Sequence, residues 1–153
     1  RDVVYAWCKK EYHNLKLAHE AGVNVPKPYY HLRNIVVMEF IGDEEGKEAP
    51  QLRKARLSNP EEFFNKILHH VKKLVRGAKL VHADLSEFNI VVKNNEPYLL
   101  DLGQAVLTSH PRAKEFFERD LINLINYFKK NYELKIELEP IKKEIGKGIF
   151  YAQ

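Results

Sequence analysis

Hydrophobic positions in the first twenty residues recur at helical spacing. Val4, Cys8, Leu15 and Ala18 fall on one stripe, which predicts a helix over 3–21. Gly22 follows at once, the residue that most readily takes the left-handed turn ending a helix. Pro26 and Pro28 then bias the backbone toward extension, and 29–32 and 35–40 read as two strands joined at Arg33-Asn34. Ile35, Val36, Val37 and Met38 form a nearly unbroken apolar run, the pattern of a strand buried on both faces. Gly42 to Lys47 interrupts the pattern with acids and two glycines and reads as a linker.

After a loop or short helix at 48–57, Asn59-Pro60-Glu61-Glu62 forms a strong helix start: a capping side chain, a proline in the first position, and acids at the positive end of the helix dipole. Phe64, Ile67, Leu68, Val71, Leu74, Val75 and Ala78 continue it as one buried face over 60–79. Residues 90–92 and 98–100 read as short strands around a turn at Asn94-Asn95. Pro111 opens another helix, with its stripe at Phe117, Leu121, Leu124, Ile125 and Phe128. Residues 132–153 are less patterned, with a short helix expected from Pro140. The first forty residues are too few to close a core of their own. They read as part of a small lobe whose beginning is missing, which divides the chain into 1–41 and 42–153.

Composition narrows the class. The 153 residues are 44% hydrophobic and 30% charged, an ordinary globular balance that excludes a disordered tail or a collagen-like repeat. No apolar run approaches the ~20 residues needed to cross a bilayer, so no membrane association is expected. Asp2, Lys9, Lys10 and Glu11 break up anything that would read as a signal peptide. The single cysteine, Cys8, allows neither an internal disulfide nor a cysteine zinc cluster and suits a reducing, cytoplasmic setting. The net charge of +4 permits an acidic partner without demanding one.

The chemistry concentrates in 81–103. His82, Asp84 and Asn89 have the spacing H-x-D-x-x-x-x-N, and Asp101-Leu102-Gly103 follows an apolar strand twelve residues beyond Asn89. This is the arrangement of a kinase catalytic loop and metal loop. Nucleotide phosphates are densely negative, and magnesium neutralises them through hard oxygen ligands. Asp101 supplies a carboxylate and Asn89 a neutral amide oxygen. Asp84 is then free to orient an attacking hydroxyl or water and accept its proton, and His82 holds backbone near the loop. Polar loops produce the same spacing by chance as solvated turns. Here the context, a long amphipathic helix before it and a hairpin ending in Asp-Leu-Gly after it, favours phosphoryl transfer. Glu11 lies on the apolar stripe of the first helix, where a carboxylate is costly without a cation or donors. Either it faces the site or the helix face is rotated and Glu11 is solvated.

His-Ala-Asp-Leu-Ser-Glu-Phe-Asn-Ile at 82–90 with Asp-Leu-Gly-Gln at 101–104 resembles the RIO family of atypical protein kinases, most closely its Rio-one-type branch. Lys10 to Leu15 leading to Ala21–Pro28, Val37 to Gly42, and Arg119 to Asn123 agree with it, so the resemblance covers nearly the whole chain. It implies an α+β, protein-kinase-like two-lobed fold, here mainly the helical C-terminal lobe plus the helix and last strands of an incomplete N-terminal lobe. It implies Asp84 as catalytic aspartate, Asn89 and Asp101 as metal ligands, and Asp101 also as phosphate acceptor in an ATPase-like cycle. Met38 would back the adenine pocket, Glu39 to Ile41 would be the hinge, Glu11 would pair with a strand lysine, and Asp120 would brace the catalytic loop. The cofactors implied are ATP and Mg2+ or Mn2+. The implied partner is the pre-ribosomal small subunit, RNA and protein, whose maturation the activity would serve.

The sequence departs from the full kinase pattern in three ways. No G-x-G-x-x-G loop and no strand lysine precede the first helix, so the polypeptide is expected to be part of a longer protein and not to turn over alone. No Ala-Pro-Glu follows Asp101, and only about twenty residues separate it from Asp120. A peptide-docking platform would not fit there, which favours self-phosphorylation or ATP hydrolysis. Lys66, Lys73 and Arg76 on one side of the 60–79 helix, with Lys72, Lys79, Arg53, Lys54 and Arg56 nearby, offer either a phosphate surface for RNA or a solvated face. Two other functions stay open: a small-molecule kinase of aminoglycoside or choline type, and a non-catalytic, nucleotide-switched assembly scaffold.

Overall fold

The computed structural model describes residues 2–153. Helix α1, Asp2–Glu20, ends where expected. Gly22 takes φ +84°, and the N–H of Val23 reaches back to the Ala18 carbonyl. The buried stripe is shorter than the sequence suggests. Leu15 and Ala18 are buried, but Val4 is 41% exposed and Cys8 is only half-buried. Strands β1 (Pro28–Leu32) and β2 (Ile35–Met38) form an antiparallel hairpin. The double-sided burial expected for β2 is not found: Ile35 is exposed and Val36 to Met38 are half-buried, because this sheet has two strands among the described residues.

The stretch 42–47 is a closed turn, not a loose linker. The Asp43 carboxylate accepts the N–H groups of Glu45 and Lys47 at 2.9 and 2.8 Å, and Gly42 bridges to Glu48. A 3-10 turn at Leu52–Lys54 follows. Helix α2, Pro60–Lys72, starts as the sequence predicts, with the Asn59 side chain accepting the Glu62 N–H. It then widens into a π-type turn at Lys73–Gly77 rather than running regularly to 79. Strand β3 (Leu80–Val81) pairs antiparallel with a strand absent from the sequence reading, β6 (Val106–Leu107). Between them stands the hairpin of β4 (Ile90–Lys93) and β5 (Glu96–Leu99), turned at Asn94 and Asn95. Both residues have positive φ, as a tight hairpin turn requires. Helix α3, Ala113–Tyr132, begins two residues after Pro111, and α4 is Leu138–Gly146. The tail then folds back: Phe150 stacks on Phe117 with centroids 5.1 Å apart, and the Tyr151 hydroxyl donates to Glu118.

A single core lies between α2, the small strands and α3, where Phe64 meets Phe128 edge-on at 5.0 Å. Leu15, Ala18, Val23 and Val25 join this same core, so the first segment is anchored to the rest of the chain rather than to itself. Asn24 fastens the joint. Its carbonyl accepts the Leu99 N–H, its side chain donates to the Pro97 carbonyl, and its own N–H donates to Nδ1 of buried His70 at 3.1 Å.

That last bond requires a neutral imidazole. Burial, reinforced by Lys73 and His69, lowers the His70 pKa to about 4. A folded-state pKa below the unfolded one means that the unfolded chain binds the extra proton. The contribution to stability is complete above about pH 6.5 and is lost as pH falls through about 4. We predict that folding stability drops by ~3 kcal/mol across that window through this group. In His70→Gln, which can accept the same N–H without titrating, the drop should be largely absent. Denaturant melts at a series of pH values measure both, and identical pH profiles would contradict the assignment.

Candidate active site

The loop after β3 is shaped by a buried carboxylate. Asp120, on α3 and 3% exposed, accepts the Ala83 N–H at 2.9 Å and the Leu85 N–H at 3.0 Å. Its neighbour Arg119 donates to the Ala83 carbonyl at 2.7 Å. Ala83 is thereby held on both sides in a conformation, φ +73°, that its Cβ disfavours. Burial pushes the Asp120 carboxyl above the ordinary aspartate range, while His82 and the two N–H groups pull the other way.

His82 is 1% exposed and joins the two halves of the site. Its Nδ1 accepts the Asp84 N–H at 3.2 Å, so Nε2 carries the proton and donates to the Leu100 carbonyl at 2.7 Å. The Leu100 N–H in turn reaches the Asn89 carbonyl at 2.8 Å. Asn89 is buried, and its amide donates to the Asp84 carbonyl and accepts the Ser86 N–H. Asp84, Asn89 and the strand end carrying Asp101 are therefore cross-linked by hydrogen bonds. The side chains of Asp84 and Asp101 remain exposed, and Asp101 sits in the left-handed region at φ +59°.

Glu11 is half-buried beside this loop. A Cβ on Gly103 would lie 3.4 Å from its Oε2, so glycine there permits the close approach. Burial first, and the Asp101 carboxylate second, push the Glu11 carboxyl up. Glu11 is thus half-buried next to Gly103 and within reach of the Asp101 charge rather than fully solvated. Sequence reasoning gave no role to Asn14, one turn along α1. Buried Asn14 donates to the carbonyls of Leu102 and Ala105 at 2.9 and 3.4 Å and so ties the helix to the segment that follows Asp101. A polar residue on an apolar stripe beside Leu15 was its only signal.

Met38, Glu39 and Ile41 line a cleft of about 260 Å³ with Pro26, Val91 and Leu100, whose chain leads directly to Asp101. The Glu39 N–H is held by the Lys27 carbonyl, and the Ile41 carbonyl accepts the Ala49 N–H. Gly42 is buried, and a Cβ there would collide with the Phe40 ring and the Lys47 carbonyl. A second cavity, about 550 Å³ and not foreseen, adjoins the catalytic loop at Ser86–Phe88 and the Asn123–Asn131 face of α3.

No cluster of three His, Cys, Asp or Glu able to hold a metal exists among the described residues. The donors near Asp101 are hard oxygens, and the Glu11 carboxyl lies close enough to feel the Asp101 charge. That set fits a divalent ion that takes few protein ligands and fills its shell from phosphate and water. Several basic residues of α2 and the turn after it meet acceptors within the chain. Lys66 pairs with Glu96 and Glu62, Lys73 meets the Gly22 carbonyl, and Arg76 donates to the carbonyls of Ile145 and Lys147. Arg53 lies over the Phe88 ring.

Known proteins resemble this chain over most of its length. A family model described as the RIO domain matches residues 1–141. The chain is 43% identical over 128 residues to the RIO-type serine/threonine-protein kinase Rio1 of Haloferax volcanii, covering 84% of this chain and 43% of that protein. It is 39% identical over 141 residues to the protein of the same name in Thermoplasma acidophilum, covering 92% of this chain and 72% of that one. It thus spans less than half of the Haloferax relative. Its fold is that of the Rio2 kinase of Chaetomium thermophilum, solved as an ADP/Mg2+-phosphoaspartate complex, with a TM-score of 0.76 at 22% identity over 95% of this chain and 46% of that one. The match over nearly all of its length, together with relatives at this level of identity, means that the chain belongs to the RIO domain family.

Proposed function

We propose that this chain is the catalytic and metal-binding portion of a cytoplasmic RIO-type serine/threonine kinase that uses Mg-ATP. The reading is carried by one observation: the hydrogen-bonded ring of His82, Asp84, Asn89 and Leu100, which joins the catalytic loop to the strand entering Asp101 beside the Met38–Ile41 cleft. The division near Ile41 into lobes belongs to the same reading.

The hinge bonds already described leave the Glu39 carbonyl and the Ile41 N–H for the edge of an adenine, with Met38 behind it. Asp101 and the second lone pair of the Asn89 amide oxygen would hold the ion. Magnesium, when bound, neutralises the phosphate oxygens during transfer. Asp84 accepts the proton of the attacking hydroxyl or water as the γ-phosphoryl group leaves ADP. The acceptor is a serine hydroxyl in self-phosphorylation, water, or the Asp101 carboxylate. The phosphoaspartate of the Chaetomium protein supports the last of these. Small-subunit maturation is the proposed setting, supported by the family. Family membership sets aside the aminoglycoside or choline kinase reading.

Two outcomes follow for the intact protein. Asp84→Asn should lower phosphoryl transfer by roughly a hundredfold or more while ADP still binds. Asp101→Asn should abolish the metal-dependent part of nucleotide binding. Single-turnover transfer assays and ADP titrations with and without magnesium check the pair, and metal-dependent binding that survives in Asp101→Asn would refute the ligand assignment. Normal small-subunit maturation with Asp84→Asn would favour the scaffold. Gly42→Val should weaken nucleotide binding and destabilise the fold by ~1–3 kcal/mol through overpacking. A calorimetric titration with ADP reads the first effect and a denaturant melt the second, and wild-type values in both would refute the role given to Gly42.

A further inference from the structure

A cavity of about 420 Å³ opens between α1 and the segment after the metal loop. Its two sides differ in chemistry. Leu17, Val106 and Leu107 supply an apolar floor, while Lys10, His13 and His110 supply a rim of hydrogen-bond donors. No carboxylate lines it. Among the described residues, the Lys10 and His13 side chains make no ion pair or side-chain hydrogen bond. The His110 ring is preset: its Nδ1 accepts the Arg112 N–H at 3.0 Å, which leaves Nε2 as a donor, and it packs against Phe116.

We propose that this cavity binds a small amphipathic anion, with a carboxylate or phosphate head among Lys10, His13 and His110 and a short apolar body over Leu17 and Val106. The charge of the rim selects the head, and the floor selects the body. A purely polar anion would leave the floor wet, and a neutral apolar molecule would leave the donors unanswered. Such a ligand bridges α1 to the 105–110 segment across the place where Asn14 holds the Leu102 and Ala105 carbonyls. It would thereby fix α1, and with it Glu11 beside Gly103. That regulatory consequence rests on the nucleotide-site reading, whereas the binding itself does not.

The test is a titration of the nucleotide-free chain with sodium octanoate, followed by amide chemical shifts and hydrogen exchange. Saturable shifts confined to 10–17 and 105–110 are expected, with slower exchange along α1. Octanol, which lacks the charge, and acetate, which lacks the body, should each bind at least about tenfold more weakly. Lys10 and His13 are exposed, so the double variant Lys10→Ala/His13→Ala keeps the fold. It should bind octanoate about tenfold more weakly while its affinity for octanol is unchanged. Octanol binding as tightly as octanoate, shifts spread over the whole surface, or an unaltered affinity in the double variant would each overturn the proposal. Because no nucleotide is present, none of these results bears on the Asp84 and Asp101 assignments.

Discussion

The Asp120 carboxylate is the constraint on which the site depends. A loop cannot hold Ala83 at positive φ and keep the adjacent N–H groups buried unless something answers them. Asp120 answers two and Arg119 answers the carbonyl between them. Once Ala83 is turned, His82 points to Leu100 and the chain leaves in the direction that exposes Asp84. The cost is a carboxylate buried in the core, offset by donors that have no alternative partner. Asp101 takes its own left-handed conformation across the same bonds, so the two exposed carboxylates are presented by strained backbone held from beneath.

A second set of contacts settles where α1 lies. Asn14 clamps the helix to the 102–105 segment, Gly103 gives Glu11 room, and Asn24 locks the helix exit to α2 and β5. Residues 38–41 and the 82–89 loop thus share one frame. Several large apolar side chains, Trp7, Tyr29, Tyr30, Leu32 and Ile35, stay exposed on α1 and the β1–β2 hairpin, while Leu15 and Ala18 of α1 are buried and Val36 and Met38 of β2 are half-buried against the core.

Much of this was legible in the sequence where local rules dominate. The Asn59 cap, the Asn94-Asn95 turn and the α3 stripe each follow from a short-range preference that tertiary contacts did not override. The H-x-D-x-x-x-x-N spacing was readable for the same reason, since one turn of polar chain fixes it. What the sequence hid depends on distant partners. Strands β3 and β6 are two residues each and exist only because they meet across about twenty-five residues of chain. The basic residues of α2 and the turn after it read as either a phosphate surface or a solvated face, and the hairpin turn, the α1 exit and the returning tail supply some of them with acceptors that periodicity cannot see. The tail itself lacked a pattern because its order comes from Phe150 and Tyr151 seating on α3.

The central claim is that Asp84, Asn89 and Asp101 surround one divalent ion and a nucleotide phosphate tail. Paramagnetic broadening of the intact protein by manganese-ADP tests it most directly. Resonances of these three residues should broaden first, followed by those of Glu11 and Gly103. Broadening centred on the acidic turn at Asp43–Glu45, with Asn89 and Asp101 left sharp, would contradict it.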